Sequence, residues 1–333
     1  MSPITRLSLV VPCYNEVEVV NRFHEALSRE LTALGRPYEV LYVDDGSSDG
    51  TLEALVGLAA TDESVRYLSF SRNFGKEAAM LAGLRYATGD AVVIMDADLQ
   101  HPPELIGRML EEYDRGFDQV IARRNRTGDP GTRTLFARAY YWLINKWADV
   151  ELMDGVGDFR LLSRRAVNGL LELNEYNRFS KGLFAWIGFE SILFEYDNVK
   201  AAPDRKSRWT FRRLLEYGLD GLLSFNNKPL RMAIYVGLLL TAVAAGYAIW
   251  VLVAAILHGV DMPGYVTLIA AITGLGGLQM VMLGVIGEYI GRIYYETKKR
   301  PHYLLKQTNM DPADRLNDTP APDGRTIRGR RVT

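Results

Sequence analysis

The sequence contains little cysteine, little histidine and almost no net charge, and each shortage excludes a class of protein. Cys13 is the single cysteine among 333 residues, which excludes an internal disulfide framework and a thiolate metal site. The four histidines are scattered, so no zinc site is predicted. With 39 basic and 40 acidic residues, the net charge of -1 gives no overall field that favours nucleic acid. The chain is 48% hydrophobic, which suffices for the core of one or two domains.

Two long apolar runs near the C-terminus predict a membrane hairpin. Residues 232–257 and 265–287 contain no charged side chain, and each exceeds the roughly 20 residues that span a bilayer. A hairpin buried in a soluble core is the weaker alternative, because two such runs follow one another closely. Lys and Arg flank the outer ends, whereas the connecting segment HGVDMPG has neither. The positive-inside rule therefore predicts that both termini and the preceding domain are cytoplasmic and that the hairpin lies in the cytoplasmic membrane. The charged start, residues 1–6, does not resemble a signal peptide.

Strand-like and helix-like segments alternate over the first two hundred residues, which predicts a parallel, doubly wound α/β domain. The predicted strands are 7–11, 39–43, 65–70, 91–95 and 119–122. The predicted helices cover about 17–34, 50–60, 75–87 and 103–115. Residues 210–224 form an amphipathic pattern, typical either of an interfacial helix at the membrane or of a helix packed on the domain.

The fourth predicted strand ends in two carboxylates, in the run VVIMDAD at residues 92–98. Side chains of a strand alternate with a period of two, so Asp96 and Asp98 are expected on the same face. Open α/β sheets bind ligands beyond the carboxyl ends of their strands, and hard oxygen ligands there suit Mg²⁺ or Mn²⁺. For an isolated Asp-x-Asp, however, a helix cap or a solvated turn is the commoner explanation.

The first two predicted strands also end in polar residues. VPCYNE at 11–16 supplies a rigid turn, an aromatic ring and an acceptor, and VDDGSSDGT at 43–51 supplies carboxylates that can accept from a base N–H or a ribose hydroxyl. Each alone is explained by turn and cap chemistry, with Ser48 or Asp49 capping the next helix. At successive strand ends of one sheet, they predict a nucleotide pocket.

With these segments the chain resembles the membrane-associated family 2 glycosyltransferases, specifically the polyprenyl-phosphate glycosyltransferases that include dolichol-phosphate mannosyltransferase and bactoprenol glucosyltransferase. The resemblance covers roughly residues 6–303, and its last part is more similar to the bactoprenol branch. The motifs that carry it, in chain order, are VVPCYNE, DDGSSDGT, NFGKEAA, MDADLQHPPE, GDFRLLSRRAV, KGLFAWIGF, DGLLSFNNKPLR and GEYIGRIYYETKKRPHY.

The resemblance implies a glycosyltransferase-A fold, and the patterns of charge and hydropathy complete the predicted domain order. We expect a cytoplasmic catalytic domain over 1–209, an interfacial region over 210–230 and two transmembrane helices within 231–290, at about 232–257 and 265–287. A basic juxtamembrane segment over 291–310 and a disordered tail over 311–333 follow, the tail being rich in Pro, Asp, Arg and Thr.

The resemblance also implies the site residues, which fall into three overlapping groups. The nucleotide-binding residues are Pro12, Tyr14, Glu16, Asp44, Asp45, Lys76, Asp96 and Ala97. The Mg²⁺ or Mn²⁺ ligands are Asp96, Asp98 and Gln100, with Asp98 the better candidate for direct ligation and Asp96 nearer the nucleotide. The catalytic residues are Asp98, Asp158, Arg123 and Arg126, and the acceptor-phosphate residues are Arg123, Arg126, Lys181 and Arg208.

Structural explanations stay open for several of these residues. Gln100 is also compatible with the start of a helix, and Asp158 with a salt bridge to Arg160 or a neighbour. Any single basic residue of the acceptor group is by default a solvated surface charge. The sequence departs from the family pattern at residues 205–208, where RKSR replaces the usual Gly-x-Ser-Lys, and at Lys181, where Arg is common. Arginine supplies charge but a different geometry from lysine, so the geometry of the acceptor loop is in question.

The predicted function is transfer of glucose or another hexose from a UDP-linked donor to undecaprenyl, dolichyl or a similar polyprenyl phosphate, with inversion at the anomeric carbon. A processive polysaccharide synthase is the nearest alternative, although Arg205 stands where such enzymes have the Gln of a Gln-x-x-Arg-Trp signature. A non-catalytic nucleotide-binding membrane scaffold is an alternative of another class, and a nucleotidyltransferase is disfavoured because no Gly-rich phosphate loop is present near the N-terminus. The GLGG segment at 274–277 makes association of membrane helices, and so a homo-oligomer, plausible.

Overall fold

The computed structural model describes residues 5–124, 156–196, 228–258 and 264–311. These residues build an eight-stranded sheet in the order β7-β5-β6-β4-β1-β2-β3-β8. The strands are β1 (Leu7–Cys13), β2 (Tyr38–Asp44), β3 (Val65–Phe70), β4 (Ala91–Ile94), β5 (Gln119–Arg124), β6 (Val156–Ser163), β7 (Ser191–Tyr196) and β8 (Leu305–Thr308). The five predicted strands are confirmed, with ends that differ by at most two residues.

The sheet is mixed, which corrects the prediction of a parallel one. Neighbouring strands among β1, β2, β3 and β4 run parallel, but β6 is antiparallel to both β4 and β5, and β8 is antiparallel to β3. A buried apolar run has the same composition in either direction, so periodicity cannot reveal the reversal. Its consequence is that the start of β6 lies beside the carboxyl end of β4.

Helices cover both faces of the sheet. The helices of this domain are α1 (Val20–Ala33), α2 (Thr51–Thr61), α3 (Lys76–Tyr86), α4 (Leu105–Asp114), α5 (Arg164–Glu172) and α6 (Ser180–Trp186). One core cluster joins the sheet to α1, α2 and α4, and two others join it to α3, α5 and α6. The result is a three-layer α/β/α arrangement, in which each helix buries one apolar face against the sheet.

Close packing of α3 against β1 depends on Gly83. A Cβ atom at this position would lie 2.1 Å from Cγ1 of Val10, closer than atoms can approach. The absent side chain lets the helix backbone approach the central strand. α3 is thereby fixed over the middle of the sheet, with its first residue at the carboxyl edge.

Two long helices, α7 (Lys228–His258) and α8 (Tyr265–Lys298), follow the domain and contact one another. The two predicted spans fall inside them, and α8 continues beyond the predicted end at 287. Within the described ranges, Gly274–Lys298 is the stretch long and apolar enough to cross a membrane, and the apolar stretch Tyr235–Tyr247 of α7 is shorter than a span. Most of the large apolar side chains described in the two helices are exposed, as in helices whose solvent is lipid.

The chain returns to the sheet after α8. Tyr303 stacks on Phe70 with ring centroids 4.9 Å apart, and β8 pairs with β3 at the sheet edge. The segment predicted as juxtamembrane, 291–310, therefore includes the end of α8 and an edge strand. The predicted amphipathic helix at 210–224 and residues 312–333 of the predicted tail lie outside the described residues.

Candidate active site

Asp96 and Asp158 meet at the carboxyl edge of the sheet because β4 and β6 are antiparallel. Ile94 pairs with Arg160, so the residue two positions after Ile94 and the residue two positions before Arg160 lie at the same edge. Lys76, the first residue of α3, lies between them. Its Nζ atom is 2.7 Å from Oδ1 of Asp96 and 2.6 Å from Oδ2 of Asp158. One ammonium therefore bridges two carboxylates.

The contact between Lys76 and Asp158 favours the charged forms of both side chains. Burial opposes the charge on Asp158, whose side chain is 18% exposed, but the attraction and hydrogen bond of Lys76 outweigh it and lower the pKa to about 2. Burial likewise opposes the charge on Lys76, and Asp158 and Asp96 together raise its pKa above the usual value. Asp158 and Lys76 are therefore both charged at neutral pH.

The predicted metal ligands follow β4 in a tight turn. Leu99 has a positive φ of 57°, and Oδ1 of Asp98 accepts a hydrogen bond from the Gln100 backbone N–H at 3.1 Å. Across the described residues, no three His, Cys, Asp or Glu side chains come together as a metal cluster. Two carboxylates and an amide oxygen are nevertheless the hard donors that Mg²⁺ or Mn²⁺ requires alongside substrate phosphates. The Lys76 ammonium on Asp96 shows that this edge already stabilises a cation, so the residues present fit a divalent ion.

The loops after β1 and β2 are joined by hydrogen bonds. The Asn15 backbone N–H donates to Oγ of Ser47 at 2.9 Å, and the Ser48 N–H donates to Oδ1 of Asn15 at 3.0 Å. Asn15 adopts a positive φ of 54°, a conformation that asparagine tolerates. Beside it, the Tyr14 side chain is 39% exposed at the sheet edge. Pro12 and Glu16 flank this turn and are partly buried.

Asp44 and Asp45 are buried, and their carboxylates hold neighbouring loops. Asp44 accepts from the Ser47 N–H at 3.0 Å and from the Ser69 hydroxyl at 2.7 Å. Asp45 accepts from the Phe74 N–H at 2.6 Å and from the Gly75 N–H at 2.9 Å. Burial raises the pKa of Asp45 to about 6, against these backbone hydrogen bonds, which lower it. Both residues thus hold the loops at the carboxyl edge through contacts within the chain, and their binding of a nucleotide stays a prediction.

Gly46 allows the loop after β3 to approach the loop after β2. A Cβ atom here would lie 2.4 Å from the backbone carbon of Arg72, and the φ of 68° is left-handed. Both conditions require glycine. The segment 72–75, which leads into Lys76, therefore packs closely against Gly46 and is held by hydrogen bonds to Asp45.

Two of the four predicted acceptor-phosphate residues are described. Arg123 lies in β5, one residue beyond the predicted strand, with its side chain 43% exposed and Nε 3.6 Å from Oε1 of Glu195. Lys181 lies in the first turn of α6, where burial lowers its pKa and Asp158 opposes the shift. Lys181 is therefore close enough to Asp158 for the two opposite charges to attract one another. Arg126 and Arg208 lie outside the described residues.

Sequence analysis missed the role of Glu77. Its Oε2 atom accepts from the Ser180 N–H at 3.1 Å and from the Ser180 hydroxyl, at the first residue of α6. The N-cap residue Phe179 makes no side-chain cap, so Glu77 caps α6 from a neighbouring helix. Burial raises the pKa of Glu77 to about 7, although the Ser180 hydrogen bond lowers it. Its position directly after Lys76 in the NFGKEAA motif was the one available signal.

His101 was also assigned no role. Its Nδ1 atom lies 2.5 Å from the Tyr196 hydroxyl, and its ring centroid is 4.9 Å from that of Phe159. Burial lowers its pKa, which favours the neutral ring. Through these contacts His101 attaches the turn with Asp98 and Gln100 to Phe159 of β6 and Tyr196 of β7.

Comparison with known families agrees with this arrangement. Residues 8–171 match the model of "Glycosyl transferase family 2", and residues 228–293 match the model of the "GtrB C-terminal hairpin". The first match spans β1 to α5 and includes Lys76, Asp96 and Asp158 at the carboxyl edge of the sheet. The second match spans most of both long helices. The protein belongs to glycosyl transferase family 2 and is a glycosyltransferase with a glycosyltransferase-A fold. The hairpin match and the apolar stretch of α8 indicate association with a membrane.

Individual relatives cover nearly the whole chain. "Putative glycosyltransferase CsbB" of Bacillus subtilis (strain 168) is 52% identical over 92% of this chain and 93% of its own length. "Bactoprenol glucosyl transferase" of Shigella phage SfX is 41% identical over 90% of this chain and 99% of its own. The "Prophage bactoprenol glucosyl transferase homolog" of Escherichia coli (strain K12) is 40% identical over 91% and 99%.

Solved structures are more distant. A mannosyltransferase from Pyrobaculum calidifontis, in complex with GDP-Man and Mn²⁺, has a TM-score of 0.43 at 21% identity, covering 61% of this chain and 58% of that one. Glucosyl-3-phosphoglycerate synthase from Mycobacterium tuberculosis, in complex with Mn²⁺, UDP-Glc and phosphoglyceric acid, has a TM-score of 0.45 at 20% identity, covering 66% and 79%.

Proposed function

We propose that the protein transfers a hexose, glucose or a close relative, from a UDP-linked donor to a polyprenyl phosphate. The observation that carries this proposal is that Lys76 bridges Asp96 and Asp158 at the carboxyl edge of the sheet. After this domain the chain continues into an apolar helical hairpin. The named bactoprenol glucosyl transferases support the choice of acceptor and sugar, since they share about two fifths of their residues with this chain over nearly full length.

The nucleotide lies in the pocket formed by the loops after β1 and β2. Tyr14 offers an exposed ring for stacking, and Glu16 lies beside it. Asp45 holds the segment 72–75 and so fixes the position of Lys76. The diphosphate of the donor then lies beside Lys76 and the turn with Asp96, Ala97 and Asp98. A cation at this place would stabilise the negative charge of the diphosphate.

Divalent metal chemistry fits this turn. Asp98 and Gln100, with Asp96 on the nucleotide side, would hold Mg²⁺ or Mn²⁺, which supplies positive charge to the departing diphosphate. Lys76 adds a fixed ammonium at the same edge, so the protein places cationic groups where negative charge develops as the glycosidic bond breaks.

The acceptor phosphate supplies the nucleophile. Its oxygen attacks the anomeric carbon, the bond from that carbon to the diphosphate breaks, and the nucleoside diphosphate leaves with the bonding electrons, which inverts the configuration. A phosphate monoester has a second pKa of about 6, so no general base is required. The pair Arg123 and Arg126, with Lys181 and Arg208 as further candidates, provides cations to hold this dianion. Asp158 orients the sugar while it holds Lys76 in place.

The test is direct synthesis. Purified full-length protein in detergent is incubated with undecaprenyl phosphate, Mn²⁺ and each of a panel of UDP- and GDP-sugars, and the lipid products are analysed by mass spectrometry. We expect one hexose per lipid from a UDP-hexose, β-linked by NMR, and loss of product after chelation of the metal. Absence of glycolipid from every donor would contradict the proposal, and a ladder of polymer would indicate a processive synthase instead.

A further inference from the structure

A polar cavity of about 430 Å³ lies between the start of α3, the segment before α6 and the residues that follow α8. Its polar lining includes Arg72, Asn73, Glu77, Tyr176, Arg178 and His302. None of these residues belongs to the predicted nucleotide, metal or acceptor groups. Lys76 extends away from the cavity toward Asp96 and Asp158. The cavity is therefore a second recess, next to the candidate active site and separate from its reacting groups.

Positive charge dominates the lining. Among the charged lining residues, Arg72 and Arg178 are basic and Glu77 is acidic, and Glu77 already accepts from Ser180. Cζ of Arg72 lies 4.1 Å from the centroid of the Phe74 ring, and Arg178 is attracted both by Glu77 and by Glu175 outside the lining. Burial and the charges of nearby Arg85 and Arg178 together lower the pKa of His302 to about 4. A neutral imidazole and the amides of Asn73 and Asn177 supply additional donors. The electrostatic character of the recess suits an anion.

Arg178 has a donor with no acceptor. Its NH1 and NH2 groups donate to the backbone carbonyls of Leu173 and Leu170, at the end of α5. Its Nε–H is buried and has no hydrogen-bond partner among the described residues. A buried donor without an acceptor is unfavourable, and an anion in the recess would supply one. The capping of α5 explains the two terminal nitrogens of Arg178 but leaves this third group unexplained.

The recess lies at the end of the apolar helix. The Tyr176 N–H donates to Oε1 of Glu296 at 2.7 Å, and the Tyr176 ring stacks on Tyr295 at 5.5 Å and 7°. The Tyr176 ring also stacks on His302, with ring centroids 5.9 Å apart. The stretch that can cross a membrane ends at Lys298, so this wall lies where phosphate headgroups of a bilayer are found.

We propose that this recess binds a phosphate group through Arg178 and Arg72, and that its source is the headgroup of an anionic membrane lipid. The guanidinium fork matches phosphate oxygens, and the adjacent end of α8 presents the recess to the bilayer. The site would anchor the catalytic domain at the membrane surface beside the active site. It does not depend on the identity of the donor or of the sugar acceptor.

The experiment measures binding by calorimetry with the full-length protein in a neutral detergent. The probes are dihexanoyl phosphatidic acid, dihexanoyl phosphatidylcholine and inorganic phosphate. We expect saturable binding of phosphatidic acid that is at least tenfold tighter than that of the other two, and unchanged by UDP with Mn²⁺. Equal affinity for inorganic phosphate would still support the phosphate site but would assign it to a soluble ligand. Absence of saturable binding to both phosphates, or displacement by UDP, would overturn the proposal.

Matched variants locate the site. Arg178→Gln and Arg72→Gln should each weaken binding by about tenfold, as loss of a charge-assisted hydrogen bond does. Arg36→Gln removes an equivalent charge from an ion pair with Asp114 on another surface and should leave binding unchanged. Because Arg178 also caps α5, its variant can destabilise the fold, whereas Arg72 is exposed and keeps the test valid. Wild-type affinity in Arg72→Gln, with the same circular dichroism spectrum, would refute the assignment.

Discussion

Nζ of Lys76 lies 2.6 Å from Oδ2 of Asp158, and the same atom lies 2.7 Å from Oδ1 of Asp96. The two carboxylates come from antiparallel strands and would repel one another without a cation between them. The ammonium therefore holds the edge of the sheet together before any ligand arrives. It also competes for Asp96 with any metal ion that binds at the following turn, and this competition can be measured.

Lys76→Met should raise the affinity for Mn²⁺ in the absence of donor, by roughly tenfold, because a positive charge next to a metal ligand is removed. The same change should lower kcat by roughly a hundredfold, since the departing diphosphate loses a fixed cation. Titration of Mn²⁺ by electron paramagnetic resonance measures the first effect, and turnover with a UDP-hexose measures the second.

Lys306→Met is the matched control for this change. Lys306 is an exposed lysine of β8, at the far edge of the sheet from β4. Its replacement should alter neither Mn²⁺ affinity nor turnover. If Lys76→Met also leaves Mn²⁺ affinity unchanged, Lys76 and the metal do not share Asp96.

Sequence patterns predicted most of the sheet but not the contact that defines its edge. The runs at β1 to β5 are short, apolar and bounded by turns, so their existence and order could be inferred. Asp158 was predicted to be catalytic or to form a salt bridge with Arg160 or a neighbour. Its pairing with Lys76 depends on the antiparallel direction of β6, and nothing in the local sequence determines that direction.

Asp98→Ala tests the predicted metal site. Removing one hard oxygen ligand should weaken Mn²⁺ binding and lower kcat/KM by at least roughly a hundredfold, because several kcal/mol of charge stabilisation depend on the bound ion. Asp114→Ala, which removes an exposed carboxylate paired with Arg36, serves as the control and should keep full activity. Unchanged turnover in Asp98→Ala would remove Asp98 from the metal ligands.

Buried carboxylates show a second limit of sequence interpretation. Asp44 and Asp45 were predicted as nucleotide ligands, and the contact that the structure shows is with segment 69–75, from which their carboxylates accept hydrogen bonds. An acidic pair at a strand end has the same sequence whether it faces a ligand or a loop backbone. Long-range contacts decide between the two, and a pattern of neighbours does not encode them.

Gly46→Ala should disturb the segment 72–75 that Asp45 and Gly46 hold. The new Cβ atom would lie 2.4 Å from the backbone carbon of Arg72, so this segment must move and take Lys76 with it. We expect a loss of about 1–3 kcal/mol in the free energy of unfolding and a raised KM for the donor. Denaturant unfolding and donor kinetics are the measurements.

Gly35→Ala is the control that separates the strain of a left-handed backbone from the steric clash of a new Cβ atom. Gly35 has a similar φ of 63°, but nothing lies within 4 Å of its Cβ position. Its alanine variant should lose only about 1 kcal/mol, from the left-handed backbone, and should keep the wild-type KM. Equal effects of the two substitutions on KM would show that contact with Arg72 does not position the site.

Glu77→Gln should remove a pH dependence of stability. The folded protein raises the pKa of Glu77 from 4.5 to about 7, so between these values the unfolded state loses its proton first. The free energy of unfolding therefore falls as pH rises through this range, by about 3 kcal/mol, and this group causes no further change above it. Glutamine keeps an acceptor for the Ser180 N–H and cannot ionise.

Thermal unfolding at pH 5 and pH 8 measures this effect. The wild type should lose more stability between the two values than Glu77→Gln does. Glu18→Gln, which replaces an exposed carboxylate in the loop before α1, should behave like the wild type. If all three proteins show the same pH dependence, Glu77 ionises in the folded state without cost. In that case protonation of Glu77 would not change how well it caps α6. The position of Lys181 near Asp158, which depends on α6, would not change either.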